Sequence, residues 1–313
     1  IYAELPNVNL VGVADANPSV VNRIAQKWGA TPYTNYKEML AQTQPDAVSI
    51  AVPTSLHEKV ATDALNAGAH ILVEKPIAAT IEEGQRLIDL AAAKERQLMV
   101  GHIVRFNPAI QLLKQKLQTG DLGKLYQIVC RRIGPFPQRI RDVGVIVDLA
   151  PHDIDVMRFL TNQDPIRVYA EIEQRIHTAH EDLVMGTLRF PDGVVGALEI
   201  NWLTPTKVRE VIALGEKGMY RVDDLTQDLY FYENAEAQAT HWPTIQNLRG
   251  VSEGKMIRYP LKRQEPLYAE LKAFIDALDE GKSVPVTGQD GLAALRLSLA
   301  LVESGQTHQV VPV

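Results

Sequence analysis

HILVEKPIA, residues 70–78, is the stretch that decides how this chain folds. Ile71, Leu72 and Val73 follow one another without a polar break, so the strand they form has both faces covered, as parallel strands between layers of helix do. The run ends on Glu74, Lys75 and Pro76. Lysine is almost never fully buried without a partner, which places Lys75 at the strand's carboxyl end, where open α/β sheets bind ligands. Working outward, DAVSIAVP (46–53) reads as a strand, HEKVATDALNAG (57–68) as a helix, TIEEGQRLIDLAAAKE (80–95) as a helix and QLMVGHI (97–103) as a strand. Thr80 with Glu83 three residues on is a capping box. Upstream, VNLVGVAD (8–15) is a strand closing on Asp15, and PSVVNRIAQKWGA (18–30) is a helix with Pro18 at its start and Gly29 at its stop. Strand, turn and helix thus recur in the order of a βαβ unit. The first part is an α/β fold, a Rossmann-type doubly wound parallel sheet.

After the helix NPAIQLLKQKLQTG (107–120) the period changes. LYQIVCRR (125–132), PIRVYAEIEQRI (165–176), DLVMGTLRFPDGVVGALEINW (182–202) and REVIALGEKGMYRVDD (209–224) read as strands joined by turns such as PDG and EKG. Successive strands joined this way are expected to pair antiparallel. A helix from about 147 to 160 interrupts them, and EPLYAELKAFIDALDEG (265–281) and DGLAALRLSLALVESG (290–305) close the chain with helical spacing. The second domain is α+β, built on an open, mostly antiparallel sheet. The expected division is 1–102 for dinucleotide binding and 103–313 for substrate binding and oligomerisation, with the C-terminal segment packing back on the first domain. Residues 234–253 are the least regular stretch, expected to be a surface excursion.

With 313 residues, 46% of them hydrophobic, the chain has enough apolar mass for one large or two ordinary domains. Its 32 basic and 38 acidic side chains give a net charge of -6 without a block of either sign, so nothing draws it to nucleic acid or an anionic membrane. The single cysteine, Cys130, sits inside an apolar strand and cannot form an intramolecular disulfide. No apolar run of about 18 residues and no basic-then-apolar leader is present, and a cytoplasmic location is the simplest expectation. HExxH and paired CxxC patterns are absent, so the chemistry is expected to be metal-free.

A dinucleotide fold opens with a strand, a glycine-rich turn and a helix. IYAELPNVNL reads instead as the tail of a first helix leading into a second strand, about twenty residues late. Either the sequence is truncated or the first βα unit is absent, and truncation is the expected reason.

Asp15, VPTSLHEKVATDALNAGAHILVEKP (52–76), GHIVRFNPA (101–109) and DLAPHDID (148–155) together resemble the glucose-fructose oxidoreductase, inositol dehydrogenase and MocA family across essentially the whole chain. The resemblance implies an N-terminal nicotinamide-dinucleotide domain and a C-terminal domain whose sheet offers one face to substrate and often the other to a partner subunit, in a homodimer or homotetramer. Within the family, residues 131–160 look most like UDP-N-acetylglucosamine 3-dehydrogenases. Oxidation of a sugar secondary hydroxyl is the implied reaction, with inositol or free-sugar oxidation, or a non-catalytic sensor or assembly role, as the alternatives.

The implied site follows residue by residue. Lys75 orients the hydroxyl and stabilises the oxygen that becomes a carbonyl; the resemblance also suggests a cis Lys75–Pro76 bond. Asp148 and His152 match the family's pair on the helix lining the site, and a spacing of four puts both on one helix face. His152 is the expected general base, its ordinary pKa near 6.5 suiting proton uptake. Asp148 binds substrate hydroxyls or tunes His152, or else merely caps the helix. Asp155 is expected to hold the tautomer of His152. On the cofactor side stand Asp15, Pro53, Thr54, His57, Glu74 and Lys75, and Asp15 favours NAD over NADP because a carboxylate repels a 2′-phosphate. Arg105 and Asn107 fit substrate or interdomain contacts. Arg131, Arg132, Arg139 and Arg141 surround GPFPQ; such guanidinium forks suit a pyrophosphate clamp, or else form a solvated basic face.

Overall fold

The computed structural model describes residues 1–137, 143–176, 179–236 and 251–313, which fall into two units. The first comprises Ile1–Ile103 and Glu265–Leu295, and the second Val104–Gln264 and Arg296–Val313.

In the first unit, strands β1 (Gly12–Ala14), β2 (Thr31–Tyr33), β3 (Ala47–Ile50), β4 (His70–Glu74) and β5 (Leu98–Gly101) alternate with helices α1 (Pro18–Trp28), α2 (Tyr36–Thr43), α3 (His57–Asn66) and α4 (Ile81–Ala93). Every pairing is parallel: β1 with β2, and β3 with β4 with β5. Ile71, Leu72 and Val73 of β4 are buried, as their unbroken run requires. Each such side chain contributes roughly 1.5–3 kcal/mol. Asn17 caps α1 by accepting the Ser19 N–H, and the helix ends at Gly29 in the left-handed region. Thr80 and Glu83 form the expected capping box on α4. The opening residues form only a short 3₁₀ turn, Tyr2–Glu4, rather than the tail of an α-helix.

The second unit contains α5 (Pro108–Gln118), α6 (Val145–Thr161) and one nine-stranded sheet. Its strands are β6 (Leu125–Pro135), β7 (Arg167–Glu173), β8 (Leu183–Arg189), β9 (Val195–Asn201), β10 (Leu203–Gly215), β11 (Gly218–Asp223), β12 (Asp228–Glu236), β13 (Val251–Tyr259) and β14 (Val311–Pro312). They lie in the order β13-β12-β11-β10-β6-β9-β8-β7-β14. All pairs are antiparallel except β6 with β9. Successive strands that pair are antiparallel as expected, and the exception joins distant ones: the chain leaves β6, crosses through α6 to β7, and the meander β7-β8-β9 then returns to lie beside β6. The stretch expected to be irregular is partly strand, since Asn234 pairs with Glu253 and Glu236 with Val251.

One face of this sheet is packed by helices. A side chain at Gly196 would meet the Met157 sulfur of α6 at 2.7 Å, so glycine there lets helix and sheet approach closely. Ile128, Cys130, Val184, Leu198 and Ile200 point to that face and are buried. Burial pushes the Cys130 thiol well above its ordinary pKa, in keeping with a core residue. Two further helices complete the fold: α7 (Pro266–Asp279), in the first unit, and α8 (Gly288–Thr307), which runs from the first unit into the second.

Candidate active site

The first unit gathers its candidates at the carboxyl ends of parallel strands. Asp15 follows β1 and is exposed; its carboxylate accepts the Asn17 N–H at 2.8 Å. Pro53 and Thr54 open the 3₁₀ turn that leads into α3. His57, the first residue of α3, is buried. Its Nδ1 lies 2.8 Å from the Pro76 carbonyl and its Nε2 2.9 Å from the Val52 carbonyl. The imidazole therefore ties the loop after β3 to the loop after β4. Its ring nitrogens are occupied by main chain, so its influence on a cofactor is through the loops that it holds.

Glu74 closes β4 beside Gly101, where an added Cβ would lie 3.0 Å from the Glu74 Oε2. Burial pushes the Glu74 carboxyl above its ordinary pKa, against the opposing pull of the Lys75 N–H and the Lys75 charge. Lys75 is half-buried at the strand end, and the Lys75–Pro76 peptide is cis.

In the second unit the candidates centre on α6. The helix begins at Gly144, which has no capping side chain; Glu181 supplies the cap from a distant segment, its carbonyl accepting the Val145 N–H at 2.9 Å and its carboxylate the Ile146 N–H at 3.1 Å. A side chain at 144 would collide with that carboxylate. Asp148 is thus a helical residue and not the cap, and with His152 it occupies one face of α6, both half-exposed. Pro151 between them removes the main-chain bond that would have reached Val147.

Several predicted substrate residues are engaged elsewhere. Arg105 is buried and grips Asp155 with Nε at 2.6 Å and Nη2 at 2.5 Å, stacking over Phe159. Each oxygen of Asp155 accepts one of these bonds. Asn107 caps α5 by accepting the Ala109 N–H at 2.9 Å, and its amide donates to the carbonyl and carboxylate of Asp224 at 3.0 and 2.6 Å. Arg132 is buried in a bidentate pair with Asp153 of α6 at 2.8–3.0 Å. Burial opposes its charge, but Asp153 outweighs that and raises its pKa. Arg131 points to the opposite face and pairs with Glu199 at 2.6 Å. The two do not form one clamp. Arg139 and Arg141 lie outside the described residues. Among the described residues no group of three metal-binding side chains occurs, and no helix is long and apolar enough to cross a membrane.

Arg209 was not singled out from the sequence, although β10 offered the signal. Val211 and Ala213 face the helix-covered side, and counting back by two puts Arg209 on that side too.

A parallel dinucleotide-type sheet joined to an α+β unit that presents a carboxylate and a histidine on one helix defines a two-part oxidoreductase. Residues 1–102 match the oxidoreductase family with an NAD-binding Rossmann fold, and residues 110–221 match the GFO/IDH/MocA C-terminal domain. The chain belongs to the Gfo/Idh/MocA oxidoreductase family. It is 30% identical over 290 residues to UDP-N-acetylglucosamine 3-dehydrogenase of Acidithiobacillus ferrooxidans, covering 93% of this chain and 88% of that one. A crystal form of that enzyme superposes with a TM-score of 0.85 at 28% identity, covering 98% of this chain and 92% of the other. Inositol 2-dehydrogenase of Rhizobium meliloti is 26% identical over 306 residues, with coverage of 95% and 89%. The WlbA dehydrogenase of Bordetella pertussis, solved with NADH and UDP-GlcNAcA, superposes with a TM-score of 0.78 at 25% identity, covering 98% and 91%.

Proposed function

We propose that the protein oxidises a secondary hydroxyl of a sugar with NAD, and that its substrate is UDP-N-acetylglucosamine, oxidised at carbon 3. One observation supports the substrate above the others: the likeness to the Acidithiobacillus 3-dehydrogenase over 93% of the chain. In this reading His152 accepts the hydroxyl proton while the hydrogen on carbon leaves with its electron pair. Asp148, one helical turn earlier, binds a neighbouring hydroxyl or tunes His152. Lys75 donates to the oxygen that becomes a carbonyl.

NAD, when bound, supplies the hydride acceptor. Asp15 fits the ribose end of such a cofactor: it is an exposed carboxylate after a parallel strand, an acceptor for the ribose hydroxyls that disfavours a 2′-phosphate. Pro53, Thr54, Glu74 and Lys75 lie on the loops at the ends of β3 and β4, and His57 holds these loops in place.

The test is NADH absorbance with NAD and either UDP-N-acetylglucosamine or myo-inositol. Turnover of the UDP-sugar alone supports the reading; turnover of inositol alone keeps the roles and replaces the substrate. His152→Ala is expected to lower kcat by about 10²–10⁴-fold and to remove the acidic limb of the pH profile. Near-wild-type activity across pH in that variant would remove His152 from the mechanism.

A further inference from the structure

Arg105, Arg132 and Arg209 of the second unit have guanidinium groups that are buried or half-buried against other elements. In two of them the side-on edge, Nε with Nη2, grips an aspartate: Arg105 holds Asp155 and Arg132 holds Asp153. Arg209 is the third. It pairs in register with Arg132 across β10 and β6, so both guanidinium groups lie on the face covered by α6. Its Nη1 donates to the carbonyls of Ile133 at 2.8 Å and Val208 at 2.9 Å, which fixes one nitrogen against main chain. The Nε and Nη2 edge has no carboxylate partner among the described residues. Asp153 is already taken by Arg132, and Asp224 by Asn107.

The surroundings leave this cation under-compensated. Burial and the like charge of Arg132 push the Arg209 pKa down to about 10, although Asp153, Asp224 and Asp148 each pull it upward. The strand pairing is also interrupted here, because β10 leaves register with β6 between Leu203 and Val208. Lys207, in the interruption, is exposed over Gly134, where an added Cβ would lie 3.8 Å from its side chain. The break therefore sets a second cation two residues from Arg209.

We propose that Arg209 is the specificity-determining residue for an oxyanion carried by the sugar substrate, received in a bidentate contact by its Nε and Nη2. The ligand chemistry is that of a planar fork meeting a phosphate or a carboxylate. An oxyanion at this edge completes for Arg209 what Asp155 and Asp153 complete for the other two arginines, and it offsets the repulsion from Arg132. Lys207 adds charge without fixing geometry. The inference rests on the reading of α6 as the sugar site. It replaces the clamp expected from Arg131 and Arg132, whose side chains are paired elsewhere.

The test is direct binding, which needs no turnover. Calorimetric titration of the wild type and of Arg209→Gln uses UDP as the phosphate probe and glucuronate as the carboxylate probe. The wild type is expected to bind at least one, and Arg209→Gln to weaken it by about ten- to a hundredfold. A loss confined to UDP identifies the phosphate source, and a loss confined to glucuronate identifies a sugar acid. Arg209→Lys keeps the charge without the fork, is expected to recover only part of the affinity, and serves in place of the glutamine variant if that does not fold. Wild-type protein that binds neither anion, or variants that bind both as the wild type does, would overturn the inference. Failure of the wild type to oxidise any sugar, with anion binding still dependent on Arg209, would overturn the proposed reaction alone.

Discussion

Arg132 and Asp153 meet inside the second unit with almost no exposure, three hydrogen bonds joining one guanidinium to one carboxylate. Two charges withdrawn from water are costly unless each satisfies the other. Removing one partner leaves the other charge buried and unpaired. Arg132→Met or Asp153→Leu alone is therefore expected to cost about 3–5 kcal/mol, while the double variant comes out near neutral. Urea unfolding of the four proteins in a double-mutant cycle measures this; single variants costing less than about 1 kcal/mol would mean that water reaches the pair. The same residues mark where reading from sequence stops. The placement of Lys75 at a strand end, and of Asp148 and His152 on one helix face, was legible because a charged residue ending an apolar strand, and two polar residues one helical turn apart, are local patterns. The engagement of Arg105, Arg132 and Asp155 was not, because each partner is brought in by the fold from 21 or 50 residues away.

Elements differ in the same way according to whether their ends are closed locally. Thr80 and Glu83 close α4 from within four residues, and that box was readable. Glu181 closes α6 from 35 residues beyond Ile146, whose N–H it accepts, and only the fold unites them. The strands β6 to β11 were legible from alternation and turn residues, whereas β12, β13 and β14 were not singled out. The parallel seating of β9 beside β6 was not legible either, since strand order is set by long-range packing. Asn107 and Asp224 join the start of α5 to the turn after β11, and this junction has a pH signature. Burial, the largest influence, raises the Asp224 carboxyl above its ordinary pKa, against the pull of Arg132 and the Asn107 amide. The folded protein then keeps this proton to higher pH than the unfolded chain does. Across the window from the ordinary Asp value of about 3.9 up through the raised folded value, stability attributable to Asp224 falls as pH rises. Below that window both states are protonated and the contribution is flat. Asp224→Asn keeps an acceptor for Asn107 and removes the slope. Unfolding free energies of both proteins across this window should diverge in favour of the variant as pH rises; parallel curves would show that Asp224 titrates alike in both states.

At the scale of the whole molecule, the sheet face opposite the helices bears on assembly. Strand register carries Met256, Tyr232, Met219 and Leu214 in one unbroken row across β13, β12, β11 and β10. Met256 is 60% exposed and Leu214 38% exposed, and Met185 on β8 is 52% exposed on the same face. Beside this row, Arg131 is matched by Glu199 and Arg221 by Glu210. An apolar row with its neighbouring charges neutralised has little to gain from water and much to gain from an apolar cover. A second copy supplies one, because a two-fold axis brings the same patch onto itself, and about 800 Å² on each partner suffices for a stable contact. The protein is therefore expected to sediment as a dimer or larger at micromolar concentration. A charge placed in the row has a surface position in the single chain but a buried, unpaired one in the assembly. Leu214→Asp should accordingly shift sedimentation toward the monomer while leaving the far-ultraviolet dichroism of the fold in place. Wild-type protein that stays monomeric at high micromolar concentration would show that this face is built to remain in water.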